Sequence, residues 1–122
     1  MKILATELNL VGLSANQVGI PSPFFIAKVE AQGDFITFIN PKIKPIKENG
    51  RKFGWEGCAS IPGKLCLVER WVWVRIEYTD IHGENVFMLL TGLSARTVQH
   101  ENDHLNGVLI TSKARETRKV VN

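Results

Sequence analysis

The 122-residue chain contains only two cysteines, Cys58 and Cys66, which lie eight positions apart. So few cysteines exclude the disulfide-rich scaffolds that stabilise many small secreted domains. We expect both residues to be free thiols in a reducing compartment, and a single disulfide between them is the alternative. Each thiol is therefore a candidate metal ligand or a buried apolar group.

The chain also lacks any run of 18 or more apolar residues, so we expect no membrane-spanning helix. The short apolar stretch near its start is interrupted by Glu7 and Asn9, which makes it a poor signal peptide. These absences favour a cytoplasmic protein. The formal net charge of +3 does not by itself predict nucleic-acid binding. A chain of this length, without repeats or linkers, is expected to form one domain over residues 1–122.

Residues 99–105 read Gln-His-Glu-Asn-Asp-His-Leu and contain the pattern His-Glu-x-x-His. Helical residues four apart lie on the same face, so His100 and His104 can direct two imidazoles at one metal ion. Glu101 is rotated by about 100° from His100 and can reach beside the ion without binding it. This pattern is typical of hydrolases in which a metal activates water and a carboxylate moves the proton. The alternative is a solvated helix face that carries two histidines by chance.

A catalytic site of this kind takes three protein ligands, and the third must lie upstream. After His104 the chain has no histidine or cysteine and only one carboxylate, Glu116, in a basic tail. The upstream candidates include Cys58, Cys66, His82 and scattered carboxylates. Cys66 lies in an apolar run that favours a buried thiol, and His82 lies in a turn-like segment. Cys58 follows a glycine in a predicted loop, which favours a Cys-His-His ligand set.

Two further motifs precede this helix. Residues 12–17 read Gly-Leu-Ser-Ala-Asn-Gln, and residues 56–60 read Glu-Gly-Cys-Ala-Ser. With residues 99–105 they follow the motif order of peptide deformylases, and the chain resembles that family, including compact members encoded by some phages. Two positions depart from the family pattern: Leu10 replaces the first glycine of a Gly-x-Gly opening, and Ala59 replaces a leucine.

The resemblance implies a metal-dependent hydrolase that removes the formyl group from the N-terminal formylmethionine of newly made polypeptides. It implies ferrous iron as the working ion, with zinc, nickel or cobalt able to substitute. On general grounds a thiolate with two imidazoles also suits zinc. The expected cofactor is therefore one divalent ion, Fe²⁺ or Zn²⁺.

The resemblance also implies roles for individual residues. The expected metal ligands are Cys58, His100 and His104. Glu101 is the expected general acid and base, and the Gln17 amide and the Ala59 backbone N–H are the expected donors to the oxyanion. Four positions are expected to contact the substrate, each with ordinary packing as the alternative: Val11, Gly12, Gly57 and Leu93.

Two charged features carry weaker expectations. Arg70 is expected to pair with Glu56 or Asp103 in support of the metal ligands, or else to form a plain surface salt bridge. The basic residues after position 112 are expected to form a frayed, solvated end, with a transient ribosome contact as the alternative. They are Lys113, Arg115, Arg118 and Lys119. We expect no direct nucleic-acid readout.

Two other functions remain open at this point. One is another amide hydrolase or peptidase that uses the same His-Glu-x-x-His pattern. The other is a non-catalytic module that holds formylated peptides, or a structural metal site.

The pattern of apolar residues predicts an α+β fold, with antiparallel strands around one central metal-binding helix. The helix is expected over residues 92–106, ended by Asn106-Gly107. Loops are expected at 12–17 and 54–57. Strands are expected at 23–29, 35–39, 42–47, 64–68, 71–79, 85–90 and 108–110.

Overall fold

The computed structural model describes residues 10–29, 33–58 and 61–119. Over these ranges the chain has an α+β fold with two antiparallel sheets. Its strands are β1 (Gly12–Ser14), β2 (Phe24–Lys28), β3 (Phe35–Pro45), β4 (Arg51–Cys58), β5 (Ile61–Trp71), β6 (Trp73–Thr79), β7 (Asn85–Thr91) and β8 (Glu116–Lys119). Its α-helices are α1 (Gly92–Leu105) and α2 (Ile110–Lys113), and short 3-10 helices cover Ala15–Val18 and Lys47–Asn49.

The larger sheet has five strands in the order β1-β2-β3-β6-β7. The predicted alternation along residues 71–79 is confirmed, because Val74 and Ile76 are fully buried while their neighbours are more exposed. They pack with Phe25 and Phe38 and with apolar residues of α1. This core holds the inner face of the sheet against the helix.

The smaller sheet has three strands in the order β4-β5-β8. Its buried side is formed by Cys66 and Val68 of β5, which pack with Ile110 of α2. Cys66 is therefore the buried thiol that its apolar surroundings predict. Cys58 is not joined to Cys66, so the described structure contains no disulfide between the two cysteines.

Helix α1 packs against β1 and β2 of the larger sheet and against β5 of the smaller one. It ends at Leu105, where the N–H of Asn106 bonds back to Asn102 and Asp103. Gly107 follows with φ of 75°, the left-handed conformation that commonly ends a helix. Within the described residues, no helix has the length and apolar character needed to cross a membrane.

Several predicted boundaries were wrong. Residues 12–17, expected as a loop, form β1 and a 3-10 turn, because Gly12 to Ser14 pair with β2. Residues 54–57 lie inside β4, which pairs along its length with β5. The expected strands 35–39 and 42–47 are one strand, β3, interrupted by a bulge.

The predictions for the last part of the chain were also wrong. The strand expected at 108–110 is absent, and Ile110 begins the short helix α2. The segment expected to fray contains β8, which pairs with residues 64–67 of β5. Its four side chains are nevertheless exposed.

Candidate metal centre and active site

Three predicted ligand side chains come together between the smaller sheet and α1. Cys58 is the last residue of β4, and His100 and His104 lie one turn apart on α1. One ligand atom from each lies within 4.8 Å of the other two. The Nε2 atom of His104 is 3.1 Å from Cys58 Sγ and 3.1 Å from His100 Nε2. A thiolate and two imidazoles at this spacing fit one divalent ion.

The surroundings of His100 orient its ring and favour a cation. Its Nδ1 atom lies 2.9 Å from Glu56 Oε1, so Nε2 is the atom that faces Cys58 and His104. Burial by itself would lower the pKa of His100, but hydrogen bonds with Cys58 and Glu56 and the charge of Glu101 raise the pKa to about 9. The anionic groups that favour a proton on this ring also favour a metal cation in its place.

Glu56 is held by a buried arginine. Arg70, which is 3% exposed, donates from Nε to Oε2 at 3.0 Å and from Nη2 to Oε1 at 2.9 Å. It also donates to Asp103 through Nη1, so it contacts both of its predicted partners. Burial alone would raise the pKa of Glu56, but hydrogen bonds from His100 and Arg70 lower the pKa to about 2. Glu56 is therefore a fixed anion behind His100.

Glu101 lies beside the cluster and is only 5% exposed. The hydroxyl of Ser14 donates to the Glu101 side chain at 3.0 Å, and it also lies 2.9 Å from the Glu101 carbonyl oxygen. Burial raises the pKa of Glu101, an effect partly opposed by the charges of His100 and His104. A buried carboxylate with a raised pKa is suited to accept and return a proton.

Strand β1 also limits the position of Glu101 through Gly12. A Cβ atom at Gly12 would lie 2.7 Å from Glu101 Oε2 and 3.0 Å from Thr97 Cγ2. Gly12 thus permits the close approach of β1 to the helix. The two residues Gly12 and Ser14 together confine the carboxylate.

One of the two predicted oxyanion donors reaches the cluster. Gln17 lies in the 3-10 turn after β1, and its Oε1 accepts from the Ser14 N–H at 2.8 Å. This bond directs Nε2 toward Cys58, where it lies 3.8 Å from Sγ. Ala59 falls outside the described residues.

A cavity of about 210 Å³ adjoins His100 and Glu101. Its walls include all four predicted substrate contacts, namely Val11, Gly12, Gly57 and Leu93. Leu93 is 67% exposed, so it lies at the rim. A larger hollow lies on the larger sheet between β3, β6 and β7, but it contains none of the candidate ligands.

Sequence reasoning missed several residues of this site, among them Ser14, Trp55 and Arg96. Ser14 contacts Glu101, while Trp55 and Arg96 line the cavity. Arg96 precedes His100 by four residues, and that spacing could have placed it on the same helix face. The sequence offers no comparable signal for Ser14 or Trp55, because their positions depend on strand pairing.

Comparisons with known proteins agree with this geometry. The profile of the family described as polypeptide deformylase matches residues 1–120. Peptide deformylase 1 of Nitrosomonas europaea is 38% identical over 127 aligned positions, which cover 98% of this chain and 72% of that protein. Peptide deformylase of Syntrophomonas wolfei is 39% identical over 108 positions, covering 88% of this chain and 68% of that protein.

Solved structures show the same relationship. The crystal structure of peptide deformylase from Thermotoga maritima has a TM-score of 0.88 at 38% identity and covers 95% of this chain and 77% of that one. The enzyme from Synechococcus elongatus, in complex with actinonin, has a TM-score of 0.84 at 37% identity, covering 92% of this chain and 60% of that one. On the profile match and these relatives, the chain belongs to the peptide deformylase family.

Proposed function

We propose that this chain hydrolyses the formamide of N-formylmethionyl polypeptides and releases formate. The observation that carries the proposal is the convergence of Cys58, His100 and His104 beside the buried carboxylate of Glu101, at the wall of a cavity. Family membership supports the same reaction. Because the substrate is a newly made polypeptide, the proposed location is the cytoplasm.

Cys58, His100 and His104 would hold one divalent ion, with Glu56 fixing the orientation of His100. When bound, the ion would supply Lewis acidity that lowers the pKa of a water molecule and polarises the formyl oxygen. We propose Fe²⁺ or Zn²⁺, with Ni²⁺ or Co²⁺ able to substitute, since all four accept thiolate and imidazole ligands.

Glu101 is proposed to accept the proton of the attacking water. As the bond between the formyl carbon and the nitrogen breaks, the same carboxyl group delivers that proton to the departing amine. Ser14 and Gly12 keep the carboxylate beside the ligand cluster throughout these transfers. The raised pKa of Glu101 supports this role, because a weak base in water becomes a stronger one when buried.

Negative charge that develops on the formyl oxygen needs hydrogen-bond donors. We assign the Gln17 amide to this task, supported by the bond from Ser14 that directs Nε2 toward Cys58. The Ala59 backbone N–H is proposed as the second donor. The cavity beside His100 would receive the methionine side chain, with Val11, Gly12, Gly57 and Leu93 in contact with the substrate.

The test combines metal analysis with a deformylation assay on a formyl-Met tripeptide. We expect one divalent ion per chain and release of formate, whereas an unformylated peptide of the same sequence stays intact. Cleavage of an internal peptide bond would favour a peptidase instead. Metal binding and peptide binding without formate release would favour a non-catalytic module.

A further inference from the structure

Arg96 occupies an unusual position one turn before His100 on α1. Its Nη2 atom lies 2.7 Å from the Val68 carbonyl oxygen, 2.8 Å from Glu56 Oε2 and 3.2 Å from the Gly54 carbonyl oxygen. Its Nη1 atom donates to the Lys52 carbonyl oxygen at 3.0 Å. One guanidinium thus connects the helix to both β4 and β5.

These contacts complete the hydrogen bonding of Glu56. Its Oε1 atom accepts from Arg70 and His100, and its Oε2 atom accepts from Arg70 and Arg96. With two partners on each oxygen, the carboxylate has little freedom to rotate. Removal of Arg96 would leave Oε2 with Arg70 alone and would weaken the attachment of β4 to the helix that carries His100.

Gly54 provides a second, independent observation. A Cβ atom at this position would lie 2.8 Å from Arg96 Cζ and 3.0 Å from Arg96 Nε. The guanidinium therefore lies directly against the backbone of β4, in space that any other residue would fill. Because the clashing atoms belong to the end of a side chain, a methyl group at residue 54 would displace Arg96 rather than the strand.

We propose that Arg96 is a positioning residue for the metal centre, acting through Glu56 on the ring orientation of His100. By fixing the carboxylate that bonds Nδ1, it fixes the direction of Nε2 toward Cys58 and His104. In the experiment below, the activity measurement rests on the proposed function, whereas the metal-affinity measurement does not.

The experiment compares Arg96→Gln, Arg96→Lys and Gly54→Ala with the wild-type chain. Co²⁺ affinity is measured by absorption titration against a competing chelator, alongside the thermal unfolding midpoint and kcat and KM on the formyl-Met tripeptide. We expect Arg96→Gln to lower Co²⁺ affinity by about 10- to 100-fold and to lower kcat more than it raises KM. Gly54→Ala should also lower Co²⁺ affinity and kcat, although this substitution removes no charged group.

Arg96→Lys should give intermediate affinity, because an ammonium keeps the charge but lacks the planar fork of donors with which the guanidinium reaches all four acceptors. The control is Arg51→Gln, which removes an exposed arginine that pairs with Glu69 on the outer side of the same sheet. It should bind Co²⁺ like the wild type.

The proposal would be overturned if both Arg96→Gln and Gly54→Ala bound Co²⁺ as tightly as the wild type. A lower unfolding temperature with unchanged Co²⁺ affinity would mean that Arg96 only stabilises the fold. If Arg96→Gln does not fold, Arg96→Lys and Gly54→Ala decide the matter by the same criterion. If the wild-type chain binds metal without releasing formate, the proposed function fails while the Co²⁺ titrations still test Arg96.

Discussion

The position of Glu101 is set by two small residues of β1. Ser14 donates a hydrogen bond to its carboxylate, and Gly12 leaves the space that the carboxylate occupies. The ligand atoms belong to other side chains, those of Cys58 on β4 and of His100 and His104 on α1. In the proposed function, proton transfer and metal binding therefore depend on different side chains and can be separated by substitution.

Glu101→Gln is expected to keep the metal and lose turnover. The amide preserves the shape and the contact with Ser14 but cannot accept a proton from water, so kcat should fall by at least about 100-fold. Metal content and kcat are measured on the same preparation. Normal turnover in this variant would refute the acid–base role of Glu101.

Gly12→Ala is expected to lower kcat by about 10- to 100-fold without loss of metal. The new methyl group would lie 2.7 Å from Glu101 Oε2 and would push the carboxylate from its place. The control is Gly57→Ala in the same cavity, where a Cβ atom would lie no closer than 3.5 Å to any described atom beyond its chain neighbours. A larger drop in kcat for Gly57→Ala than for Gly12→Ala would contradict this explanation.

The two cysteines should respond differently to replacement. Cys58→Ala removes a candidate ligand and is expected to abolish stoichiometric metal binding. Cys66→Ala leaves a small cavity beside Val68 and Ile110, so it should retain the metal and lose about 1–2 kcal/mol of unfolding free energy. Metal analysis and chemical denaturation of both variants test this pair, and metal loss in Cys66→Ala alone would reverse the assignment.

At the scale of residues, the sequence predicted the contacts that helix geometry determines. His100 and His104 meet because four residues make about one turn. Cys58 could be placed beside them only through its motif, since β4 is distant from α1 along the chain. Ser14 and Arg96 were missed because their partners depend on how strands approach the helix.

At the scale of elements, periodicity predicted β6 and α1 well because each has one buried face. The same reasoning failed for β4, where Gly54 and Gly57 indicated a loop. Gly54 in fact lies within a strand, where the absence of a side chain leaves room for the guanidinium of Arg96. Strand β8 was missed because it is stabilised by pairing with β5, and a pairing between distant segments leaves no pattern in the local sequence.

Gly107→Ala is expected to lower the unfolding free energy by about 1 kcal/mol through backbone strain alone. Gly107 has φ of 75°, and among the described residues beyond its chain neighbours no atom lies within 4 Å of a Cβ built there, so the expected cost comes from the backbone conformation. Gly107→Asn should cost less, because asparagine tolerates this conformation. Denaturant titration of both variants is the measurement, and equal stability of alanine and glycine would contradict the prediction.

At the scale of the whole molecule, positive charge is concentrated in the smaller sheet and in the basic segment beside it. Residues 51–71 and 113–119 carry eight lysines or arginines against three acidic residues, whereas the rest of the chain has seven basic and nine acidic residues. The smaller sheet and the basic segment beside it thus account for the positive net charge. Such a surface favours association with polyanions in a salt-dependent way.

We propose, as the alternative to a merely solvated end, that this segment contacts ribosomes transiently; combined substitution of Arg115, Arg118 and Lys119 by glutamine is then expected to weaken co-sedimentation with ribosomes. The side chains are exposed on or next to β8, so substitution removes charge while the strand pairing is retained. Combined substitution of Lys42, Lys44 and Lys47 by glutamine, which removes three exposed lysines elsewhere in the chain, is the matched control. Equal co-sedimentation of both variants and the wild type would argue against a ribosome contact through this segment.

Helix α1 lies between the sheets, and the proposed reaction draws atoms from all three layers. Ser14 and Gln17 come from the larger sheet and its adjoining turn, His100, Glu101 and His104 from the helix, and Cys58 from the smaller sheet. A slide of the smaller sheet along the helix by about 1 Å would move the sulfur away from the imidazoles, and a similar slide of the larger sheet would move Ser14 away from Glu101. Turnover should therefore depend on how the two sheets align with the helix. Substitutions that enlarge or shrink a core side chain far from the site, such as Phe38, should lower kcat even when the chain remains folded.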